Sequence, residues 1–324
     1  MPAPFTTSAD PVPPVRGSSP APAPDTSAAA DATARVGAAV AFTVLIWASA
    51  FVVIRHVGPH VGPGTLAAGR LLIGTVALWL LQSRRSWVAP TRCEWALLVS
   101  YGVGWFGVYN VALNAGERHL DAGTSAMLVN VGPILIALLA AAFLGERLTR
   151  WLGLGAAVAF AGAVVIGLAT RTGASADLAG VALCLVAAIT YAIGVICQKQ
   201  VLAHIPATQA TAIGCTIGAI ACLPFVPGLA SDLGDAPTGA VLGVVYLGLF
   251  PTALAFSTWA YALGRMDAGR LGVSTYLVPP LAALGGWLLL GEAPPALALA
   301  GGVLCLVGVA ISRRTDRPRP ARRA

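Results

Sequence analysis

The chain carries little charge for its length. Of its 324 residues only 10% are Asp, Glu, Lys or Arg, whereas 57% are hydrophobic. A water-soluble domain carries about 25% charged residues, so this composition could not cover a soluble surface. The charges fall between apolar runs that are long enough to cross a bilayer. A soluble fold is therefore excluded, and we predict an all-α polytopic membrane protein.

Residues for catalysis inside a membrane are also scarce. The sequence has only four histidines, and all of them lie at or near predicted loops. An intramembrane enzyme would need paired carboxylates, a Ser/His set or clustered His ligands at membrane depth. No Gly-x4-Gly-Lys-[Ser/Thr] signature is visible, which argues against ATP drive. We therefore predict that the chain is not an enzyme and has no cofactor.

Metal and nucleic-acid patterns are missing as well. All six cysteines except Cys93 fall within apolar runs, and no close pair has metal-ligand spacing. Such cysteines are most simply small buried side chains. The formal charge of +7 comes without a basic–aromatic patch, so we expect no nucleic-acid partner.

The apolar runs number ten, and short connections join them. They lie near residues 36–55, 64–82, 94–113, 121–143, 151–169, 179–198, 208–226, 238–263, 267–290 and 296–312. Each is read as one membrane-spanning helix. Residues 1–34 are rich in Pro, Ala, Ser and Thr, which predicts a disordered tail, and residues 313–324 form a basic tail.

The basic residues predict the orientation. With the N-terminus inside, every Lys and Arg falls in an inner segment except Arg55, Arg118 and Arg171 at outer ends and Arg70 within the second run. Inner segments of membrane proteins carry such an excess. Both termini are therefore expected in the cytoplasm of a multi-pass protein of the plasma membrane.

A repeat divides the chain into two halves, residues 35–170 and 178–312. Matched motifs recur 146 residues apart, and the first helices of the halves match at an offset of 144 through Trp47 and Tyr191. The recurring motifs are Asp121-Ala122-Gly123 with Asp267-Ala268-Gly269, Pro133 with Pro279, and Gly145-Glu146 with Gly291-Glu292. Five helices per half is an odd number, so the second half enters from the opposite side. We predict two inverted five-helix repeats.

These features resemble a known family. The motifs are Trp47-x3-Phe51-x3-Arg55, Ala68-Gly69-Arg70, and Gly-Glu closing the fourth and ninth helices. With ten helices in inverted halves, residues 36–312 resemble the drug/metabolite transporter superfamily, and its EamA branch most closely. The resemblance implies transport of small metabolites, often efflux of amino acids. It also implies a central cavity lined by the first, third, fourth, sixth, eighth and ninth helices, with hairpins that rock.

Candidate cavity residues lie near the matched prolines. Asn130 and Tyr276 stand three residues before Pro133 and Pro279, hence on much the same helix face. Pro280 adds to the expected distortion of the ninth helix. We interpret the prolines as bends for gating and the two polar residues as substrate contacts. Packing kinks and interhelical hydrogen bonds remain the alternatives.

Further candidates are aromatic, amide and basic side chains. We predict that the substrate contacts Trp47, Arg70, Tyr109, Asn110, Tyr191 and Trp259 in addition to Asn130 and Tyr276. An interfacial belt or simple packing is the alternative for the aromatics, above all for Trp105 and Tyr261. Arg70 binds a substrate carboxylate, ties helix carbonyls together or snorkels outward. Glu146 and Glu292 are expected to cap the helices that follow them.

Small residues in the fifth and tenth helices allow close approach of another helix. They include Gly155 and Gly162 with Gly301 and Gly308. In the resembled family these helices form the usual dimer face, whereas packing within one chain is the alternative. A monomer and a homodimer both stay open.

The function predicted from the sequence is secondary transport. The partners would be a small organic metabolite and the lipid bilayer, and export would proceed by alternating access. An intramembrane enzyme and a non-transporting scaffold or sensor are the alternatives. An enzyme would need catalytic groups at membrane depth, which the sequence does not offer. A scaffold or sensor would not need a polar, aromatic lining.

Overall fold

A computed structural model describes residues 26–119, 125, 128–169, 178–290, 296–312 and 314, and the regular structure in this part of the chain is helical. Asp121-Ala122-Gly123, Gly291-Glu292 and most of both tails lie outside the described residues. The helices are α1 (Thr26–Val57), α2 (Pro63–Gln82), α3 (Arg92–His119), α4 (Gly132–Phe143), α5 (Arg150–Ala169), α6 (Leu178–Val201), α7 (Ala207–Ala221), α8 (Val226–Asp235), α9 (Thr238–Leu263), α10 (Ala268–Leu289) and α11 (Ala296–Ser312).

The long helices are suited to a bilayer. α1, α2, α3, α6, α9 and α10 are each long and apolar enough to cross it. α7 and the helical segment Leu223–Asp235 pass the same test together, across a bend of 51°. α4 is a shorter apolar helix of 12 residues. The chain is therefore a multi-pass membrane protein, as its composition predicted.

Most helix boundaries follow the apolar runs, but α1 begins earlier, α3 ends later at His119, and the run 208–226 is divided between α7 and a helix that continues to Asp235. α9 begins and ends where the run 238–263 does. α1, however, begins at Thr26, ten residues before the predicted start, because the alanines around Asp31 favour helix. α3 begins with a capping box in which the Glu94 amide donates to Thr91 Oγ1 and the Thr91 amide donates to Glu94 Oε2, at 3.3 and 2.7 Å.

α3 and α9 each contain a π-helical segment, and the two segments begin at the spacing that relates the matched motifs. The first covers Gly102–Val108 and the second Gly248–Ala255. The second contains Pro251, which lacks the N–H that a regular α-helix would use there. Wide turns of this kind occur often at functional sites.

Each π-helical segment packs against a helix from the other matched region of the chain. A Cβ added at Gly102 would lie 2.6 Å from Ile217 of α7, and one at Gly248 would lie 2.7 Å from Ile73 of α2. Ile73 and Ile217 are related by the same offset as Trp47 and Tyr191. The two contacts are therefore reciprocal, and they bring α2, α3, α7 and α9 around a common centre.

α5 and α11 pack through glycine within the chain. A Cβ at Gly155 would lie 2.6 Å from the Gly308 carbonyl oxygen, and one at Gly162 would lie 2.6 Å from that of Gly301. Backbone contact this close requires residues without side chains. Of the two alternatives for these glycines, the structure shows packing within one chain.

Candidate functional site

A cavity of about 680 Å³ lies at the centre of the helices, including the part that is open to solvent. Seven of the residues predicted from the sequence line it, namely Trp47, Arg70, Tyr109, Asn110, Asn130, Pro133 and Tyr191. Arg70 brings α2 into the lining, although the resemblance did not imply that helix.

One wall of the cavity is aromatic. The ring of Trp47 lies 5.3 Å from that of Phe256, and the ring of Trp105 lies 5.0 Å from that of Tyr191. Trp47 is fixed in place because its Nε1 donates a hydrogen bond to the carbonyl oxygen of Pro251, at 3.4 Å. Such a wall can hold the apolar part of a small solute.

Two predicted substrate contacts are not on the cavity surface, and neither are Pro279 and Pro280. Trp259 is only 1% exposed and lies against Trp47 at 4.9 Å between rings. Tyr276 is fully buried in a separate cluster with Leu152 and Val309, between α10, α5 and α11. The indole nitrogen of Trp259 and the hydroxyl of Tyr276 have no hydrogen-bond partner among the described residues. Trp259 therefore supports the wall from behind, whereas Tyr276 belongs to the packing of α10 against α5 and α11.

The matched prolines begin helices where the sequence predicted bends. Asn130 and Val131 form a turn, and Pro133 lies in the first turn of α4. Pro279 likewise follows a 3₁₀ turn, Thr275–Leu277, within α10. Proline fits the first turn of a helix because no donor is needed there. The run 121–143 is thus interrupted beside the cavity.

These interruptions affect backbone carbonyls that border the cavity. A proline cannot donate to the carbonyl four residues earlier, which is that of Val129 for Pro133 and of Thr275 for Pro279. Val129 and Thr275 both line the cavity. The Thr275 carbonyl instead accepts a bond from the Val278 amide. The neighbouring Pro280 packs against Gly302 of α11.

Arg70 is the one charged residue among those that line the central cavity. It is 5% exposed, and its Nε donates to the hydroxyl of Thr252 at 3.1 Å. Thr252 in turn donates to the Leu247 carbonyl at 2.8 Å. The ion pairs of the described residues do not include Arg70. A buried cation without an ion-pair partner is costly, so this guanidinium, which has none among the described residues, is suited to hold an anionic group of a ligand.

Three polar side chains share the cavity lining with Arg70. Asn110 is 2% exposed and donates from Nδ2 to the Phe106 carbonyl at 2.7 Å, which fixes its amide. The Tyr191 hydroxyl is buried without a hydrogen-bond partner among the described residues. Asn130 is 7% exposed at the turn before α4. The cavity therefore combines one cation, neutral polar groups and an apolar wall.

A second cavity, here called the vestibule, adjoins the first. It measures about 1020 Å³, including open solvent, and Ile54 lines both cavities. Its charged residues are Arg55, Glu117 and Arg118. These residues lie near the C-terminal ends of α1 and α3, on the side that the basic residues predict to be outside. The central cavity and the vestibule thus adjoin at this end of the bundle.

The other end of the bundle is closed by polar contacts. Lys199 Nζ donates to the carbonyls of Leu263 and Met266 at 2.6 and 2.8 Å. The carboxylate of Glu146 accepts bonds from the backbone amides of Ala268 and Gly269 at 2.7 and 3.1 Å. These contacts tie α6 to the end of α9, and the segment after α4 to the start of α10.

The position of Glu146 corrects one prediction. Glu146 was expected to cap the helix that follows it, but it caps the start of α10 instead. The cap of α5 comes from Thr149, whose Oγ1 accepts from the Leu152 amide at 3.1 Å. Thr149 directly precedes α5 and is therefore better placed than Glu146 to cap it. Glu292 lies outside the described residues.

Several cavity residues escaped the sequence analysis. Trp105, Phe256 and Thr275 line the cavity, although packing or a belt seemed the simpler role for Trp105. Tyr261 is absent from the lining and stacks against the Arg265 guanidinium, 3.8 Å from the ring centre. Thr275 matches Val129 at the spacing of the recurring motifs, so the repeat offset was the available signal.

Together these features define a class: a multi-pass membrane protein with a cavity between its helices that aromatic and polar side chains line. The model of the EamA-like transporter family matches residues 36–168 and 178–314. The chain belongs to the EamA-like transporter family, and it is a membrane transporter by that membership.

Individual relatives cover most of the chain. A protein of Streptantibioticus cattleyicolor named "Probable terminal-alkyne amino-acid exporter" is 35% identical over 88% of this chain and 97% of its own length. A "Probable amino-acid metabolite efflux pump" of Salmonella typhimurium is 29% identical over 85% of this chain and 95% of its own. A solved crystal structure of another protein aligns with a TM-score of 0.69 over 86% of this chain and 96% of that one, at 22% identity. That likeness concerns the fold alone.

Proposed function

We propose that this protein exports amino acids or closely related carboxylates from the cytoplasm across the plasma membrane. The observation that carries the proposal is Arg70, a buried guanidinium without an ion-pair partner among the described residues, on an otherwise uncharged cavity lining. A carboxylate would complete the hydrogen bonds that Thr252 leaves open. Relatives named as amino-acid exporters support the same substrate class.

The side chain of the substrate would lie on the aromatic wall. Trp47, Trp105 and Tyr191 offer flat apolar surface, while Tyr109, Asn110 and Asn130 offer polar edges. Trp259 would act by supporting Trp47, against which it packs, whereas Tyr276 would act on the packing of α10 against α5 and α11. Such a site selects small amphipathic solutes over charged polymers or lipids.

The architecture that fits this role has ten spans in two inverted five-helix repeats, with both termini in the cytoplasm. The reciprocal packing of the π-helical segments, at the same offsets as the recurring motifs, supports the repeat. In inverted repeats a central site opens to each side in turn. The protein would function as a monomer or a homodimer.

Alternating access would move the helices that break beside the cavity. Pro133 begins α4, and Pro279 and Pro280 lie at the break within α10, so both elements have a flexible joint at cavity depth. In the described state the Glu146 and Lys199 contacts close the side expected to be cytoplasmic. Breaking them would open that side to substrate.

Counterflow in proteoliposomes tests the proposal directly. Purified protein is reconstituted with an unlabelled amino acid inside, and entry of the labelled compound is measured across a panel of amino acids and matched amines. We expect exchange of amino acids and none of amines that lack a carboxylate. If the amines were exchanged as fast as the amino acids, Arg70 would be excluded as the group that selects the substrate. A chemically altered product would favour an intramembrane enzyme, and no flux for any compound would favour a scaffold or sensor.

A further inference from the structure

Two buried acceptor atoms in the vestibule lack donors. They are Oδ1 of Asn114 and Oε1 of Glu117, and neither has a hydrogen-bond partner among the described residues. Asn114 is 5% exposed, and both residues line the vestibule. A buried acceptor without a donor costs stability, so such atoms usually mark a place for water or a ligand.

The surrounding contacts fix these atoms in place. Nδ2 of Asn114 donates to the Pro63 carbonyl at 3.1 Å. This bond fixes the orientation of the amide and leaves its oxygen as the atom without a partner among the described residues. Pro63 belongs to the start of α2, where the Gly62 amide donates to the carboxylate of Asp232 at 2.8 Å. The wall that carries Asn114 is therefore held by α2 and α8. A ligand would find preformed acceptors there.

Cationic groups stand beside the acceptors. Arg55 and Arg118 line the vestibule together with Glu117. Arg118 uses Nη2 for the carbonyls of Gly58 and Val61, at 3.5 and 3.3 Å, and its other nitrogens remain for further bonds. The vestibule thus presents acceptors and cations together, which matches a ligand that carries both an ammonium and a carboxylate.

The acceptors also lie on the path out of the central cavity. Asn110 and Leu113 line the central cavity, and Asn114 and Glu117 follow them by four residues each on α3. Residues four apart share a helix face, so α3 carries one continuous row from cavity to vestibule. A solute that leaves Arg70 along this face passes both acceptors.

We propose that the vestibule is a second, outer binding site for the zwitterionic head of an amino acid. The ammonium group is held at the Glu117 side chain beside Asn114, and the carboxylate pairs with Arg118. This site rests on the proposed function, since it receives the same substrate on its way out. The vestibule face should therefore discriminate the ammonium group, whereas the other face should not.

Side-specific kinetics test this site. The probe is L-phenylalanine, with 3-phenylpropanoate, which lacks the ammonium group, as a competing ligand. Vesicle orientation is measured by labelling Cys93 with a membrane-impermeant maleimide, because Cys93 is the exposed cysteine of the chain and lies at the opposite end of α3 from Glu117. The KM for L-phenylalanine is then determined separately from each face.

Glu117→Gln should raise the KM from the vestibule face by about tenfold, as expected for loss of a charged hydrogen bond. The KM from the other face should change by less than about twofold, within the scatter expected of a site that is not touched. Inhibition by 3-phenylpropanoate should not weaken in this variant, because this compound has no ammonium group that Glu117 could bind. Asp235→Asn, which removes an exposed carboxylate outside the vestibule lining, is the matched control and should leave both KM values unchanged.

The outcomes separate the two proposals. Equal KM values for wild type and Glu117→Gln at the vestibule face would overturn the outer site and leave the exporter intact. An equal rise at both faces, or equal loss of 3-phenylpropanoate inhibition, would also overturn it. Absence of L-phenylalanine counterflow in the wild type would refute amino-acid transport for this probe, and the outer site with it.

Discussion

The guanidinium of Arg70 and the hydroxyl of Thr252 meet at the edge of the central cavity, with Nε 3.1 Å from Oγ1. Arg70 belongs to α2 in the first region matched by the family model, and Thr252 to the π-helical segment of α9 in the second. A single hydrogen bond therefore orients the charged group of the site and joins the two regions. Thr252 also donates to Leu247, so the orientation is relayed from the α9 backbone.

Replacing Arg70 should separate charge from geometry. Arg70→Gln removes the cation, and we expect counterflow of an amino acid to fall by at least about tenfold, the loss expected for one charge-assisted hydrogen bond. Arg70→Lys keeps the charge but not the planar fork, so it should restore only part of the rate. Membrane insertion and monodispersity in detergent should be unchanged.

Thr252→Val is the companion variant for that experiment. It removes the hydroxyl that positions Arg70 but leaves the charge, so we expect a higher KM with a nearly unchanged maximal rate. If Arg70→Gln transported carboxylates as well as the wild type, Arg70 would be a structural residue that ties α2 to α9.

Asn130 and Tyr276 should respond differently although they occupy matched positions. Asn130→Leu removes a polar group from the cavity lining, so transport should decline while insertion and thermal stability persist. Tyr276→Leu removes a fully buried ring from the cluster with Leu152 and Val309, so it should destabilise the protein by about 1–3 kcal/mol.

Thermal unfolding in detergent together with counterflow distinguishes the two effects. Tyr276→Phe is the control, since it deletes only a hydroxyl that has no partner among the described residues, and it should be neutral or stabilising. If Tyr276→Leu kept normal stability but lost transport, Tyr276 would instead be a substrate contact on the cavity surface.

Local patterns predicted the helices well and the site only in part. The run 238–263 matched α9 residue for residue, because a bilayer span needs an uninterrupted apolar stretch. The π-helical segments were not foreseen, since an apolar stretch has no polar face whose period could change. Trp105 was undervalued because an aromatic residue in an apolar run also fits simple packing or an interfacial belt. The repeat offset identified Asn130 with Tyr276, yet only the contact of α10 with α5 and α11 decides that Tyr276 is turned away from the cavity.

Glu146 illustrates where a local rule fails. A carboxylate just before a helix is a reasonable cap for it. Thr149 lies closer to α5, however, and Glu146 reaches the start of α10, which is far away in the chain. Tertiary contacts of this kind leave no trace in local sequence.

The Glu146 contact should be visible in hydrogen exchange. Glu146→Ala removes the acceptor for the amides of Ala268 and Gly269, so both should exchange faster, and α10 should lose about 1 kcal/mol of local stability. Thr149→Ala is the matched control, because it removes the cap of α5 and leaves α10 untouched. Exchange is measured by mass spectrometry on peptides that cover the start of each helix. Equal protection of α10 in the wild type and in Glu146→Ala would contradict the contact.

Two glycines of α5 provide the last comparison, since they differ only in what lies opposite them. A Cβ at Gly155 would approach the Gly308 carbonyl to 2.6 Å, whereas a Cβ at Gly153 would have no atom within 4 Å. Gly155→Ala should therefore push α5 away from α11 and cost about 1–3 kcal/mol. Gly153→Ala should stabilise the helix slightly, by about 0.5–1 kcal/mol, because alanine restricts the unfolded chain and favours helix. Both variants are compared by thermal unfolding and by size-exclusion chromatography. If Gly155→Ala altered the oligomeric state without loss of stability, the glycine face would serve contacts between protomers rather than the α5–α11 contact within one chain.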